Sequence, residues 1–260
     1  MTPLPTHGCS AWFRRHGGQH GGQHGGQPLV YGHRGAPRAL PENTLSSFRT
    51  ALAQGADGIE LDVRACADGL VVFHDPDLQR MAGRRERVAD MSLTELAALN
   101  LGAGEGAPSL DATIAAILAQ RDARLNIEIK VDDRAPSAIA ALTERVCTVI
   151  EALPPLQRER VLVSSFGVLA IETATARLGA AHTALLLSKN PERWPPLPQR
   201  CGLNPHYSRA QAVSAFVDEG RLVNVWTVNE PDRARDLSRL GVDGIITDDV
   251  PGTLRVLARS

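Results

Sequence analysis

Two short β-type runs carry acids on a face that a buried strand would normally keep apolar. In GIELDVR (Gly58 to Arg64), Ile59, Leu61 and Val63 share one side, while Glu60, Asp62 and Arg64 share the other. In LNIEIK (Leu125 to Lys130), Ile127 and Ile129 alternate with Asn126, Glu128 and Lys130. Alternation at period two predicts strands. The i, i+2 spacing puts Glu60 and Asp62 on one face, about 7 Å apart along the strand. If Glu128 joins them, three carboxylates repel one another unless a cation sits among them. Oxygen donors without Cys or His suit a hard divalent ion, Mg²⁺, Ca²⁺ or Mn²⁺. Two histidines extend the set. His33 lies in YGHRGAP, followed by Arg34, a fixed cation, and by Gly35, which permits close approach of an anion. His74 lies in LVVFHD, shortly after the first acidic run. A divalent ion, two imidazoles able to trade protons near neutral pH, and Arg34 and Lys130 as anion ligands are equipment for phosphoryl chemistry. The absence of a Walker loop or kinase signature argues against a nucleoside triphosphate as substrate.

Elements that could position these residues recur along the chain. Strand-like runs occur at PLVYGH, DGIELDVR, ARLNIEIK, RVLVSS, HTALLLS, QRCGLN, RLVNVWTV and DGIITD. Helical patterns lie between them: NTLSSFRTALAQG, SLDATIAAILAQRD, PSAIAALTERVCTVIEAL, FGVLAIETATARLG, SRAQAVSAFVDEG and EPDRARDLSRLG. This rhythm is that of an α/β fold, a (β/α)₈ TIM barrel. A doubly wound open sheet would have fewer strands and a Gly-rich first turn, which is missing. In a barrel Ile59, Leu61, Ile127 and Ile129 point out to the helices. Polar residues are tolerated inward near the C-terminal mouth, where Glu60, Asp62 and Glu128 would converge. The competing reading, wet edge strands, loses because a closed barrel has no edges. His74 follows the second run too closely for a helical crossover, so LVVFHD must return as an antiparallel hairpin. A three-residue loop, Ala67 to Gly69 with the glycine left-handed, would set His74 opposite Asp62. A two-residue loop would set Asp75 there. The metal chemistry favours the first.

Composition bounds the partners. The 260 residues suit one large domain, and a hydrophobic fraction of 43% allows a sizeable core. A formal net charge of −1 gives no field to attract nucleic acid or an acidic membrane. The basic cluster RMAGRRER (Arg80 to Arg87) reads as a solvated surface loop. Cys9, Cys66, Cys147 and Cys201 form no CxxC pair, which argues for a reducing, cytoplasmic setting and against a zinc ribbon. No run suits a signal peptide or a membrane span, so a soluble, unexported protein without stable membrane association is expected. Residues 1 to 27, with the repeat HGGQHGGQHGGQ, are expected to be a disordered tail ahead of a domain from 28 to 260. A metal-binding arm on His16, His20 and His24 is the lesser reading of that repeat.

The motifs HRG (His33 to Gly35), PENT (Pro41 to Thr44), ELD (Glu60 to Asp62), HD (His74, Asp75), EIK (Glu128 to Lys130), SSF (Ser164 to Phe166), WTVN (Trp226 to Asn229) and GVDGIITD (Gly241 to Asp248) arrive in an order that resembles the glycerophosphodiester phosphodiesterase family. The resemblance is to its compact cytoplasmic bacterial branch and runs from about residue 29 to the end. It implies a barrel with a small insertion after the hairpin, about residues 76 to 108. It implies metal ligation by Glu60, Asp62 and Glu128, and His33 and His74 as the acid/base pair. Arg34 would bind phosphate with help from Lys130, Asn43 would lend support, Glu42 would support Arg34 ahead of contacting the metal, and Trp226 would line either the pocket or the core. The implied reaction splits glycerophosphodiesters into sn-glycerol 3-phosphate and an alcohol. The alternatives are a relative acting on lysophospholipids or inositol phosphodiesters, and a barrel that binds a phosphodiester without turning it over. Headgroup, native ion, order of the histidines and oligomeric state are left open.

Overall fold

Eight parallel strands form a ring in the computed structural model, which describes residues 11–13, 26–132, 135–190, 194–197 and 201–258. The strands are β1 (Leu29–His33), β2 (Gly58–Ala65), β3 (Leu70–Val72), β4 (Arg124–Ile129), β5 (Val161–Ser165), β6 (Thr183–Leu187), β7 (Gly202–Pro205), β8 (Asn224–Val225) and β9 (Gly244–Thr247). Their order is β7-β6-β5-β4-β2-β1-β9-β8, with β3 paired antiparallel to β2 off this path. Parallel bridges Leu203↔Val223 and His206↔Trp226 join β7 to β8 and complete the circuit. The expected (β/α)₈ barrel is therefore observed.

The helices are α1 (Leu45–Ala53), α2 (Gln79–Ala82), α3 (Leu93–Ala97), α4 (Leu110–Leu118), α5 (Pro136–Glu151), α6 (Pro155–Arg158), α7 (Val168–Leu178), α8 (Ala210–Asp218), α9 (Pro231–Leu240) and α10 (Val250–Leu257). Six of them sit in the six helical patterns of the sequence, and α10 follows the last strand without having been expected. Ile59, Leu61, Ile127 and Ile129 are fully buried and pack outward with Phe48 of α1 and Ile114 of α4. Each such side chain contributes about 1.5–3 kcal/mol by leaving water. The insertion, Pro76 to Pro108, carries α2 and α3 and builds a second, smaller core around Phe73, Leu78 and Leu96.

The hairpin differs from both registers considered. Val63 pairs with Val72, Arg64 with Val71 and Ala65 with Leu70, so Phe73 lies opposite Asp62 and donates to its carbonyl at 3.0 Å. The loop has four residues, Cys66 to Gly69, and Gly69 is not left-handed. Its length follows from ties to the insertion that local turn rules cannot see. Ala67 N–H donates to Met91 O at 2.8 Å, and Asp68 accepts from Leu93 N–H at 2.8 Å.

The barrel interior is layered. At the N-terminal end Leu162, Ala184 and Leu222 meet Phe13, which is fully buried. Residues 11–13, expected within a disordered tail, form instead a 3-10 turn anchored by Arg124 Nε donating to Trp12 O. The repeat through Gly25 lies outside the described residues. Phe13→Ala is expected to cost about 3 kcal/mol or more in urea unfolding, while KM stays unchanged because the mouth lies at the other end. The middle layer is more polar than expected: Asn126, Ser164, Asn204 and Asn224 are buried, and their side-chain atoms find no protein partner among the described residues. Such groups are the usual hosts of ordered internal water.

Candidate active site

Strand register assembles the acids. Parallel pairing of β1 with β2 aligns His33 with Glu60, and pairing of β2 with β4 aligns Asp62 with Glu128. Ligand atoms of Glu60, Asp62 and Glu128 consequently all lie within 4.8 Å of one another, and all three residues are buried. Burial and the Asp62 charge push the Glu60 carboxyl up to about 8. Burial raises Glu128 as well, against the pull of Lys130. Burial would also raise Asp62, but Lys130 and Arg34 hold it well below the ordinary carboxylate range. Among the described residues Asp62 Oδ1 accepts no hydrogen bond although buried, and Lys130 Nζ lies 3.4 Å from it. An unsatisfied oxygen in an all-oxygen cluster that repels itself fits a hard divalent cation.

Local structure aims the remaining groups. After β1 the chain turns through Arg34, whose φ of 55° is left-handed, and Gly35, whose φ is 96°. A Cβ on Gly35 would lie 2.4 Å from Ser47 Oγ, so only glycine lets this turn press against α1. Arg34 N–H donates to Glu60 O at 2.8 Å, and its guanidinium donates to Glu42 Oε1 at 2.9 Å and lies 3.2 Å from Asp62 Oδ2. Among the described residues nothing pairs with its Nη2. Asn43, also left-handed, a conformation asparagine tolerates, donates to Asp62 Oδ2 at 2.8 Å. Thr44 then caps α1 by accepting from Ser47 N–H. Lys130 Nζ donates to Glu128 Oε1 at 2.7 Å.

Each histidine is held by a carboxylate. His33 Nδ1 lies 2.6 Å from Asp248 Oδ1, and His33 Nε2 lies 4.0 Å from Glu60 Oε2. Asp248 in turn accepts from Asn229 Nδ2 at 2.7 Å. His74 Nδ1 lies 2.6 Å from Asp75 Oδ1. A carboxylate only accepts, so both rings carry hydrogen on Nδ1 and keep Nε2 for other work. Their electrostatics diverge. Burial would depress His33, yet the Asp248 bond and the Glu60 charge raise it above its ordinary value. Burial lowers His74, and Lys130 and Arg34 add to that, against Asp62.

The opposite side of the mouth is aromatic. The Trp226 and Phe166 rings meet edge to face at 5.5 Å, and His206 meets Trp226 at 5.1 Å. Trp226 is half-buried and donates to Asn204 O at 2.7 Å. A cleft of about 360 Å³ opens beside His33, Arg34, Glu42 and Asp248.

Residues 33–251 match the Glycerophosphoryl diester phosphodiesterase family. The chain belongs to that family. As a member it is an enzyme, a phosphoric diester hydrolase. It is 33% identical over 245 residues to a glycerophosphodiester phosphodiesterase of Caldanaerobacter subterraneus, covering 89% of this chain and 98% of that one. It is 32% identical to the enzyme of the same name from Bacillus altitudinis, covering 84% and 94%. Among solved structures, an Oleispira antarctica phosphodiesterase in complex with the product sn-glycerol-3-phosphate superposes with a TM-score of 0.76 at 28% identity, covering 90% of this chain and 98% of that one.

Within this phosphodiesterase site several side chains escaped sequence reasoning. Asp248 and Asn229 were visible only as parts of motifs. Asp248 sits just past β9, at the strand end where barrel enzymes keep their chemistry, and that position was the available signal. Arg64, fully buried, donates through Nε to His74 O at 2.7 Å and pairs with Asp132, which fixes the backbone that carries the second histidine. Arg80 is exposed, as expected, but it lies on α2 and bonds Asp75 and Glu42. Its neighbour Arg84 does face solvent, paired with Glu86.

Proposed function

We propose that the protein hydrolyses glycerophosphodiesters such as glycerophosphocholine or glycerophosphoethanolamine to sn-glycerol 3-phosphate and the free alcohol, using a divalent ion and two histidine proton carriers. One observation carries the reading: Glu60, Asp62 and Glu128 converge beside two histidines whose Nδ1 atoms are each tied to a carboxylate. The product bound in the Oleispira relative supports the choice of product. Glu60, Asp62 and Glu128 would hold Mg²⁺, Mn²⁺ or Ca²⁺, which when bound supplies positive charge against the phosphate oxygens.

The chain's own groups do the rest. Arg34 offers Nη2 to a phosphate oxygen, Lys130 adds a second cation, and Glu42 and Asn43 hold Arg34 and Asp62 in place. Phe166, Trp226 and His206 present an aromatic flank to the carbon skeleton of the substrate. The glycerol 2-hydroxyl attacks phosphorus in line while the Nε2 of one histidine takes its proton. The other histidine gives a proton to the departing alcohol as its bond to phosphorus breaks, leaving a cyclic phosphate. Water then opens the ring with the two roles reversed, restoring both histidines. Because the nucleophile is part of the substrate, positioning supplies a large part of the rate. Among the described residues Cys66, Cys147 and Cys201 are free and buried, which suits a reducing cytoplasm. Among the described residues no helix is long and apolar enough to cross a membrane.

A diester lacking the 2-hydroxyl is expected to be inert when release of its headgroup alcohol is measured. Cleavage at the native rate would assign the attack to water. Asp248→Asn removes the charge that orients His33 while keeping the side chain's shape. It is expected to lower kcat roughly ten- to hundredfold with KM little changed; a native kcat would leave His33 independent of this partner.

A further inference from the structure

Arg80 stands outside the barrel on α2 of the insertion, with its side chain 48% exposed. An exposed arginine ordinarily holds one carboxylate weakly. This one holds two. Its Nε donates to Asp75 Oδ2 at 2.6 Å, its Nη2 to Glu42 Oε1 at 2.6 Å and its Nη1 to Glu42 Oε2 at 3.0 Å. The guanidinium thus meets Glu42 as a two-pronged fork and Asp75 from its remaining edge. Each acid passes the constraint inward. Asp75 turns its other oxygen to His74 Nδ1, and Glu42 Oε1 also accepts from Arg34 Nη1. A chain of alternating charge runs His74, Asp75, Arg80, Glu42, Arg34, and ends on Asp62.

The geometry points to Arg80 as a positioning residue that orients the His74 ring and the Arg34 guanidinium together, making the insertion part of the catalytic machinery. This inference rests on the proposed activity and adds to it the group that couples proton transfer to phosphate binding. Arg80 itself touches neither substrate nor ion; it acts through two carboxylates. A planar fork can serve both acids at a fixed angle, which the point charge of a lysine cannot. The insertion's own core decides where the fork starts, because Leu78, two residues earlier, is fully buried there. Closing the network with a side chain from a separate small core makes His74 and Arg34 respond to one anchor.

The test uses the full chain and two readouts: turnover of glycerophosphocholine, and the nitrogen-15 and proton resonances of the His74 Nδ1–H. Arg80→Gln is expected to lower kcat/KM roughly ten- to hundredfold, through both a lower kcat and a higher KM, with part of the loss restored by added guanidinium. The His74 Nδ1–H resonance is expected to shift or broaden away. Arg80→Lys retains charge without the fork and is expected to behave more like Arg80→Gln than like the native protein. The kcat effects of Arg80→Gln and Asp75→Asn are expected to be non-additive, since both act through one ring. Asp75→Asn leaves α2 and its side chain intact, so it keeps the test open should Arg80→Gln loosen the insertion. Turnover within about twofold of native in Arg80→Gln, native activity in Arg80→Lys, or strictly additive losses would overturn the proposal. If the native protein releases no glycerol 3-phosphate from any diester, the activity reading falls, and an unmoved His74 resonance in Arg80→Gln then decides separately against Arg80.

Discussion

Glu128→Ala is expected to lower the release of glycerol 3-phosphate by about a thousandfold, because an ion held by the three carboxylates, as proposed, would contribute several kcal/mol of charge stabilisation. The side chain has two duties. It supplies one of three converging oxygens, and its Oε1 engages Lys130 Nζ at 2.7 Å. Its removal therefore weakens the ion site and frees a cation in the same volume. Raising Mg²⁺ or Mn²⁺ is expected to restore part of the rate, and titration calorimetry with Mn²⁺ should show weakened binding independent of turnover. The native enzyme is expected to lose activity in a chelator and regain it when the ion returns. Full turnover in chelator would remove the ion from the reaction and leave the three acids unexplained.

His33→Ala and His74→Ala are each expected to lower kcat by on the order of a hundredfold or more, the usual worth of a positioned proton carrier. Both rings lie at the mouth, away from the main apolar core, so circular dichroism and the unfolding midpoint should stay near native. A diester with nitrophenol in place of the headgroup separates their roles, because this alcohol departs without needing a proton. The variant lacking the histidine that protonates the leaving group should recover with it. The variant lacking the histidine that accepts the 2-hydroxyl proton should not. Native turnover in either variant would take that residue out of the mechanism.

What could be read from the amino acids was whatever obeys a local period. Glu60 and Asp62 announced themselves because alternation places them opposite Ile59 and Leu61, and the barrel then gave all three acids one destination. Contacts between distant segments left no such trace. The hairpin register was missed because its loop is tied to Met91 and Leu93, more than twenty positions away in the chain. Asp248 reaches His33 across 215 positions, and Arg80 reaches Glu42 across 38. Phe13 was assigned to the tail because the glycine-rich repeat from His16 to Gln27 separates it from the first strand. Its partners are Leu162 of β5, Ala184 of β6 and Leu222 just before β8, which the barrel brings together.

The join between β7 and β8 has a dynamic consequence. Among the described residues this seam is stitched at Leu203↔Val223 and His206↔Trp226, and β8 meets β9 at two aligned pairs, whereas β2 and β4 share six. Backbone amides along that seam should therefore trade deuterium sooner than those of β2 and β4, since fewer bonds must part for solvent to reach them. The charged half of the mouth would stay stiff while the aromatic half breathes, so differently sized alcohols could be admitted on the yielding side without disturbing the acids on the other.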